Sequence, residues 1–127
     1  MRNIYFCGNE IVKADDMPLR LKNDLEKLFP RLNLVAFDPT ENFPEDDPVY
    51  IVDTVIGIDR VVVIKDVEQL ADAPHVSVHD ADLAFHLKWL KKLGKLPKVI
   101  ILGVPAVGDP DRILGMLEKE LNDLLGV

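Results

Sequence analysis

The feature that most constrains this chain is its alternation of short apolar runs with amphipathic helical stretches. Five runs read as strands: NIYFC (3–7), LNLVAF (32–37), VYIVDT (49–54), RVVVI (60–64) and KVIILG (98–103). Between them the apolar residues change period. Leu21, Leu25 and Leu28 recur at helical spacing over 17–29, with charges between them, and Pro30 closes that helix. Leu83, Leu87, Leu90 and Leu93 mark a second helix that stops at Gly94. Asp109 and Pro110 open a third, with Ile113, Leu117, Leu121 and Leu124 on one face and Gly126 at its end. Strands alternating with amphipathic helices predict an α/β fold with a mostly parallel twisted sheet of about five strands. The short spacing between the third and fourth runs suits a hairpin, which would turn one strand antiparallel.

At 127 residues, 48% of them apolar, the chain is expected to form a single domain, 1–127, with a core of its own. No repeat or interdomain linker interrupts it, and DPTENFPEDDP (38–48) reads as a polar, proline-rich loop. In open α/β sheets ligands bind outside the carboxyl ends of the strands. That rule directs attention to the residues just after Cys7, Phe37, Thr54 and Gly103.

Composition narrows the partners. The formal net charge is −7, which disfavours phosphate backbones and anionic membranes. No apolar stretch approaches the roughly 20 residues needed to span a bilayer. The apolar run at the N-terminus is too short for a secretory signal. A cytoplasmic location is therefore expected. The single cysteine, Cys7, cannot form an internal disulfide and reads as a small core residue. There is no zinc-type Cys/His cluster, no Walker loop and no GxGxxG.

Three segments carry side chains with chemical potential. In GNEIVKADDMPLRL (8–21) two adjacent acids, Asp15 and Asp16, stand at a helix start. Capping accounts for one of them, and Pro18 fits the first turn. Asp53 follows Tyr50, Ile51 and Val52 at the carboxyl end of a core strand. Burying its charge is costly without a hydrogen-bonding partner or a cation. In HVSVHDADLAFHL (75–87), His75 reads as solvated and His86 as a helix-face residue, whereas His79 stands just before the helix, free to face the cleft. Asp15, Asp53 and His79 together offer two carboxylates and an imidazole from three separate loops. Mixed oxygen and nitrogen ligation suits a divalent first-row metal such as nickel or zinc better than calcium.

The order of these segments resembles the [NiFe]-hydrogenase maturation proteases. GNEIVKADDMPLRL is similar to that family's G-N-x4-D-[D/E]-x2-G-x-R, IVDTVIG to its strand-end aspartate segment, SVH (77–79) to its S-P-H, and VIILGVPAVGDP to its last strand and loop. The resemblance implies a three-layer α/β/α sandwich. It implies an endopeptidase that removes the C-terminal extension of the hydrogenase large-subunit precursor after nickel insertion. Asp15, Asp53 and His79 would be the catalytic and metal-reading residues. An ungapped match from Gly8 and Asn9 to Arg20 places Asp15 on the metal-reading acid and leaves Asp16 to cap. Ala14 then stands for the usual preceding aspartate and Pro18 for the usual glycine. A one-residue shift would make Asp16 the reader. Substrate contacts would fall at Gly8, Asn9, Asp38 and Thr40, although the family's D-G-G-T turn reads DPTE here. The short chain points to a compact, archaeal-type member.

The resemblance further implies that nickel arrives with the substrate and that the protein keeps no permanent cofactor. Zinc or cadmium would act as a surrogate. The partner would be the precursor of the large subunit, with no nucleic acid or membrane involved, and the protein a monomer. The metal could polarise the scissile carbonyl or activate water, or a carboxylate could serve as general base. Two alternatives come from other classes. One is a non-catalytic hydrogenase assembly factor. The other is a phosphoacceptor receiver-like signalling domain, which the acidic charge and Asp53 favour. Gly8 and Asn9, where a receiver needs its acid pair, and the absence of a lysine after the last strand argue against it.

Overall fold

A computed structural model describes residues 2–7, 16–37, 44–65, 77–78, 81–94 and 98–126. The elements run β1 (Arg2–Cys7), α1 (Asp16–Leu28), β2 (Leu32–Phe37), β3 (Val49–Ile56), β4 (Val62–Ile64), β5 (Ser77–Val78), α2 (Ala81–Lys92), β6 (Val99–Pro105) and α3 (Pro110–Leu125). Five strands lie in the order β2-β1-β3-β6-β4, and β5 pairs with β3 off that path. β1 is parallel to β2 and to β3, and β3 is parallel to β6. The expected α/β fold with a mostly parallel sheet is the observed one.

The expected hairpin is not. β4 does run antiparallel, but to β6, with Val63 opposite Leu102. β6 therefore lies between β3 and β4. Short spacing in the sequence says how far a chain must travel, not which edge it joins. Residues 57–61 suffice to carry the chain past one strand width, about 4.8 Å on each side. A second antiparallel pair, β5 with β3, was not expected, because two residues carry no periodic signal.

The period-2 alternation of the strands divides the core into two faces. Ile4, Phe6, Tyr50, Val52, Ile100, Leu102 and Val104 meet Met17, Leu21 and Leu25 of α1 and Ile113, Leu117 and Leu121 of α3. Cys7, Val49, Ile51, Val55, Val99 and Ile101 point the other way, toward Leu87 of α2. Helices cover both faces, giving three layers. Strands buried on both sides read as near-continuous apolar runs, and β3 and β6 do so. Cys7 is buried in that second cluster.

Local signals fix the third helix. Asp109 precedes it in an extended conformation and accepts from the Asp111 N–H at 3.3 Å. Pro110 takes the first helical position, where a missing N–H costs nothing. Gly126 closes it at φ +68°, donating its N–H to the Asn122 carbonyl at 2.9 Å. No helix among the described residues is long and apolar enough to cross a membrane.

Candidate functional site

Asp53 is the one predicted site residue whose side chain is described, and its position is informative. It is 2% exposed and sits inside β3, three residues before the strand's end, not at its tip. The strand runs on to Ile56 because Val55 and Ile56 find partners in β5. By the alternation of β3, Asp53 shares the face of Ile51 and Val55, the face that α2 covers.

One edge of β3 shows how the chain is arranged around it. Tyr50, Ile51 and Val52 pair with Ile4, Tyr5 and Phe6 of β1. Val55 and Ile56 pair with Val78 and Ser77 of β5. The opposite edge is paired to β6 from Val49 to Val55, so β1 and β5 follow one another along the same edge. Asp53 and Thr54 lie at the break between them. β1 reaches this break from one side and ends at Cys7, whose successors in sequence are Gly8 and Asn9. β5 runs antiparallel to β3 and approaches from the other side, ending at Val78, whose successor is His79. α1, which begins at Asp16, follows the first of these connections. The fold thus brings Cys7 and Val78, the described residues that directly precede Gly8 and His79 in the sequence, to either side of the strand position of Asp53.

The carboxylate is held in place. The Thr54 N–H donates to Asp53 Oδ1 at 2.8 Å. A hydrogen bond to an ionised acceptor is shorter and stronger than a neutral one and offsets part of the cost of burial. On the far side of Asp53 stands Gly103 of β6, its register partner. A Cβ at Gly103 would come within 2.5 Å of Val55 Cγ2 and 3.1 Å of Val62 Cγ2. Glycine is required here by close packing beside the aspartate. The last strand read from the sequence ends at Gly103, whereas β6 runs on to Pro105 and so places the glycine inside the strand, where it marks close approach. Two apolar side chains lie exposed near the same end of the sheet, Ile56 at the end of β3 and Val107 just after β6.

Asp15, His79, Gly8, Asn9, Asp38 and Thr40 lie outside the described residues, as does His75. Asp16 is the first residue of α1. The side chains of Asp16 and of His86, in α2, are likewise outside the description. Among the described residues, no three His, Cys, Asp or Glu side chains are grouped so that they could hold a metal ion.

A second polar cluster occupies the opposite end of the sheet. Arg2, Asn3, Asp46, Asp47, Pro48 and Tyr50 line an open depression of about 520 Å³ at the amino ends of β1 and β3. Tyr5 OH donates to Asp46 Oδ1 at 2.7 Å and Asn3 Nδ2 to Asp46 Oδ2 at 3.0 Å. Asn33 Nδ2 donates in turn to Asn3 Oδ1 at 2.9 Å. Burial, and then the bond to Asp46, raise the Tyr5 hydroxyl pKa above its usual 10.0. Both Asp46 oxygens are occupied by protein donors, so this cluster fastens the segment before β3 to β1. It lies at the wrong end of a parallel sheet for a ligand site, and we place the candidate site at Asp53.

Compared with protein-family models, with curated proteins and with solved structures, the chain matches none.

Proposed function

We propose that the protein is an endopeptidase of the hydrogenase-maturation type. It would remove the C-terminal extension of a [NiFe]-hydrogenase large-subunit precursor once nickel has been inserted. The observation that carries this reading is the break on β3. A buried carboxylate stands there where the connection holding Asp15 leaves the sheet and where the strand preceding His79 arrives. Two carboxylates and an imidazole from those three segments form a donor set suited to a first-row divalent ion.

In this reading the nickel belongs to the substrate. Asp53 is positioned in advance by the Thr54 N–H, so its carboxylate need not reorganise when the precursor docks. Asp15 and His79 complete the recognition, and Ile56 and Val107 offer an apolar rim for an extended peptide. Binding the nickel centre fixes the scissile bond beside these groups, turning remote binding energy into geometry. A carboxylate of the trio then serves as general base toward water, with the peptide carbonyl polarised by the ion that the substrate brings.

The test is a cleavage assay on nickel-loaded and nickel-free precursor, read as a size shift of the large subunit. The proposal requires cleavage of the loaded form alone, and its loss in Asp15→Ala, Asp53→Asn and His79→Ala. Nickel-independent cleavage, or activity that survives these substitutions, would sink it. Nickel-dependent binding without cleavage would instead identify an assembly factor.

A further inference from the structure

The outer surface of α2 combines two properties that nothing above uses. Trp89 is 51% exposed and Leu93 49%, although both are large and apolar. The Leu93 N–H donates to the Trp89 carbonyl at 3.1 Å, so the two stand one helical turn apart on one side. Among the described side chains of α2, from Leu87 to Lys92, the charge is of one sign. Lys88, Lys91 and Lys92 are exposed on the same two turns. The sequence holds five lysines from Leu83 to Gly108 and no aspartate or glutamate, in a chain whose net charge is −7. Lysines in the last turn complement the helix dipole, which accounts for Lys91 and Lys92. It does not account for an exposed tryptophan and leucine.

We propose that the Trp89–Leu93 ridge, with its flanking lysines, docks an acidic protein segment that carries an apolar anchor. Charge complementarity selects the acid, and the exposed indole and leucine supply the desolvated centre that such interfaces need. An extended anionic surface fits less well. A bilayer or nucleic acid would also face the acidic remainder of the molecule, whereas a short segment senses charge over about 8 Å at physiological salt. The ridge begins about 12 Å along α2 from its first turn, at 1.5 Å per residue. This inference does not rest on the peptidase reading.

Trp89 is the one tryptophan in the chain, so its emission reports this surface directly. The probes are a 12-residue Glu/Leu peptide, its Gln/Leu counterpart and phosphatidylserine vesicles. The Glu/Leu peptide should shift Trp89 emission to the blue with saturation. Its affinity should fall roughly tenfold when salt is raised to several hundred millimolar. It should fall by a similar factor in Lys88→Glu/Lys92→Glu, with thermal unfolding of that variant unchanged. No shift, an equal shift with the Gln/Leu peptide, or a stronger response to vesicles would overturn the proposal. Emission of the protein alone that depends on its concentration would mean that a second copy covers the ridge, and would overturn it as well.

Discussion

Two aspartates at opposite ends of the same sheet show how differently a carboxylate can be used. Asp46, before β3, is half-buried, and each of its oxygens accepts from a neighbouring side chain, Tyr5 on one and Asn3 on the other. Asp53, within β3, is almost fully buried, accepts from a backbone N–H, and stands at the break between the pairings of β1 and β5. A surface depression of about 520 Å³ lies at Asp46. The proposed site is instead at Asp53, at the break in the pairing of β3, because a parallel sheet presents its connecting loops for ligands at the carboxyl ends.

The comparison breaks most visibly in activity. Asp53→Asn should lower cleavage of the nickel-loaded precursor by at least about 100-fold, in the range seen when one preorganised charge-stabilising group is lost. The far-UV circular dichroism should be unchanged. Asp46→Asn should leave the cleavage rate within about twofold, since it touches neither strand end of the site. Equal losses in both would erase the distinction between the two ends.

Packing beside Asp53 gives the next largest effect. Gly103→Ala places a methyl group against Val55 and Val62 and should cost about 1–3 kcal/mol in urea unfolding. Val55→Ala in the same background should recover part of that loss. Asp46→Ala should cost somewhat less, about 1–2 kcal/mol, by leaving the Tyr5 hydroxyl and the Asn3 amide without their acceptor.

The smallest effect concerns pH. Tyr5 holds its proton more tightly folded than unfolded, so its contribution is fully present below pH 10.0 and is lost as pH rises beyond it. Unfolding measured from pH 8 to 11 should show a decline above that point, shallower in Tyr5→Phe. That variant should lose about 1 kcal/mol at neutral pH. An identical slope in both proteins would remove Tyr5 from the cluster at the amino end.

Much of this architecture was legible in the sequence. LNLVAF forms β2 over the span that its apolar run marks, and Ile113, Leu117 and Leu121 are buried as their spacing requires. What could not be read is lateral order. Nothing in residues 57–64 says that β6, far downstream, will insert between β3 and β4. Nor could the length of β3 be read, because its last two residues depend on a two-residue partner at Ser77 and Val78. For the site, Asp53 was legible as a carboxylate in an apolar strand, where a charge needs a reason. Gly103 was passed over because its constraint comes from Val55 and Val62 on two neighbouring strands, which only the pairing register brings against it.

The proposed function requires the metal-reading site to be at Asp53 and not at Asp46. Zinc soaked into crystals, located by its anomalous scattering, tests it most directly. One strong peak is expected about 2.0–2.2 Å from the Asp53 carboxylate, with Asp15 and His79 as its other ligands. A peak at Asp46, or one near Asp53 that neither Asp15 nor His79 approaches, would contradict it.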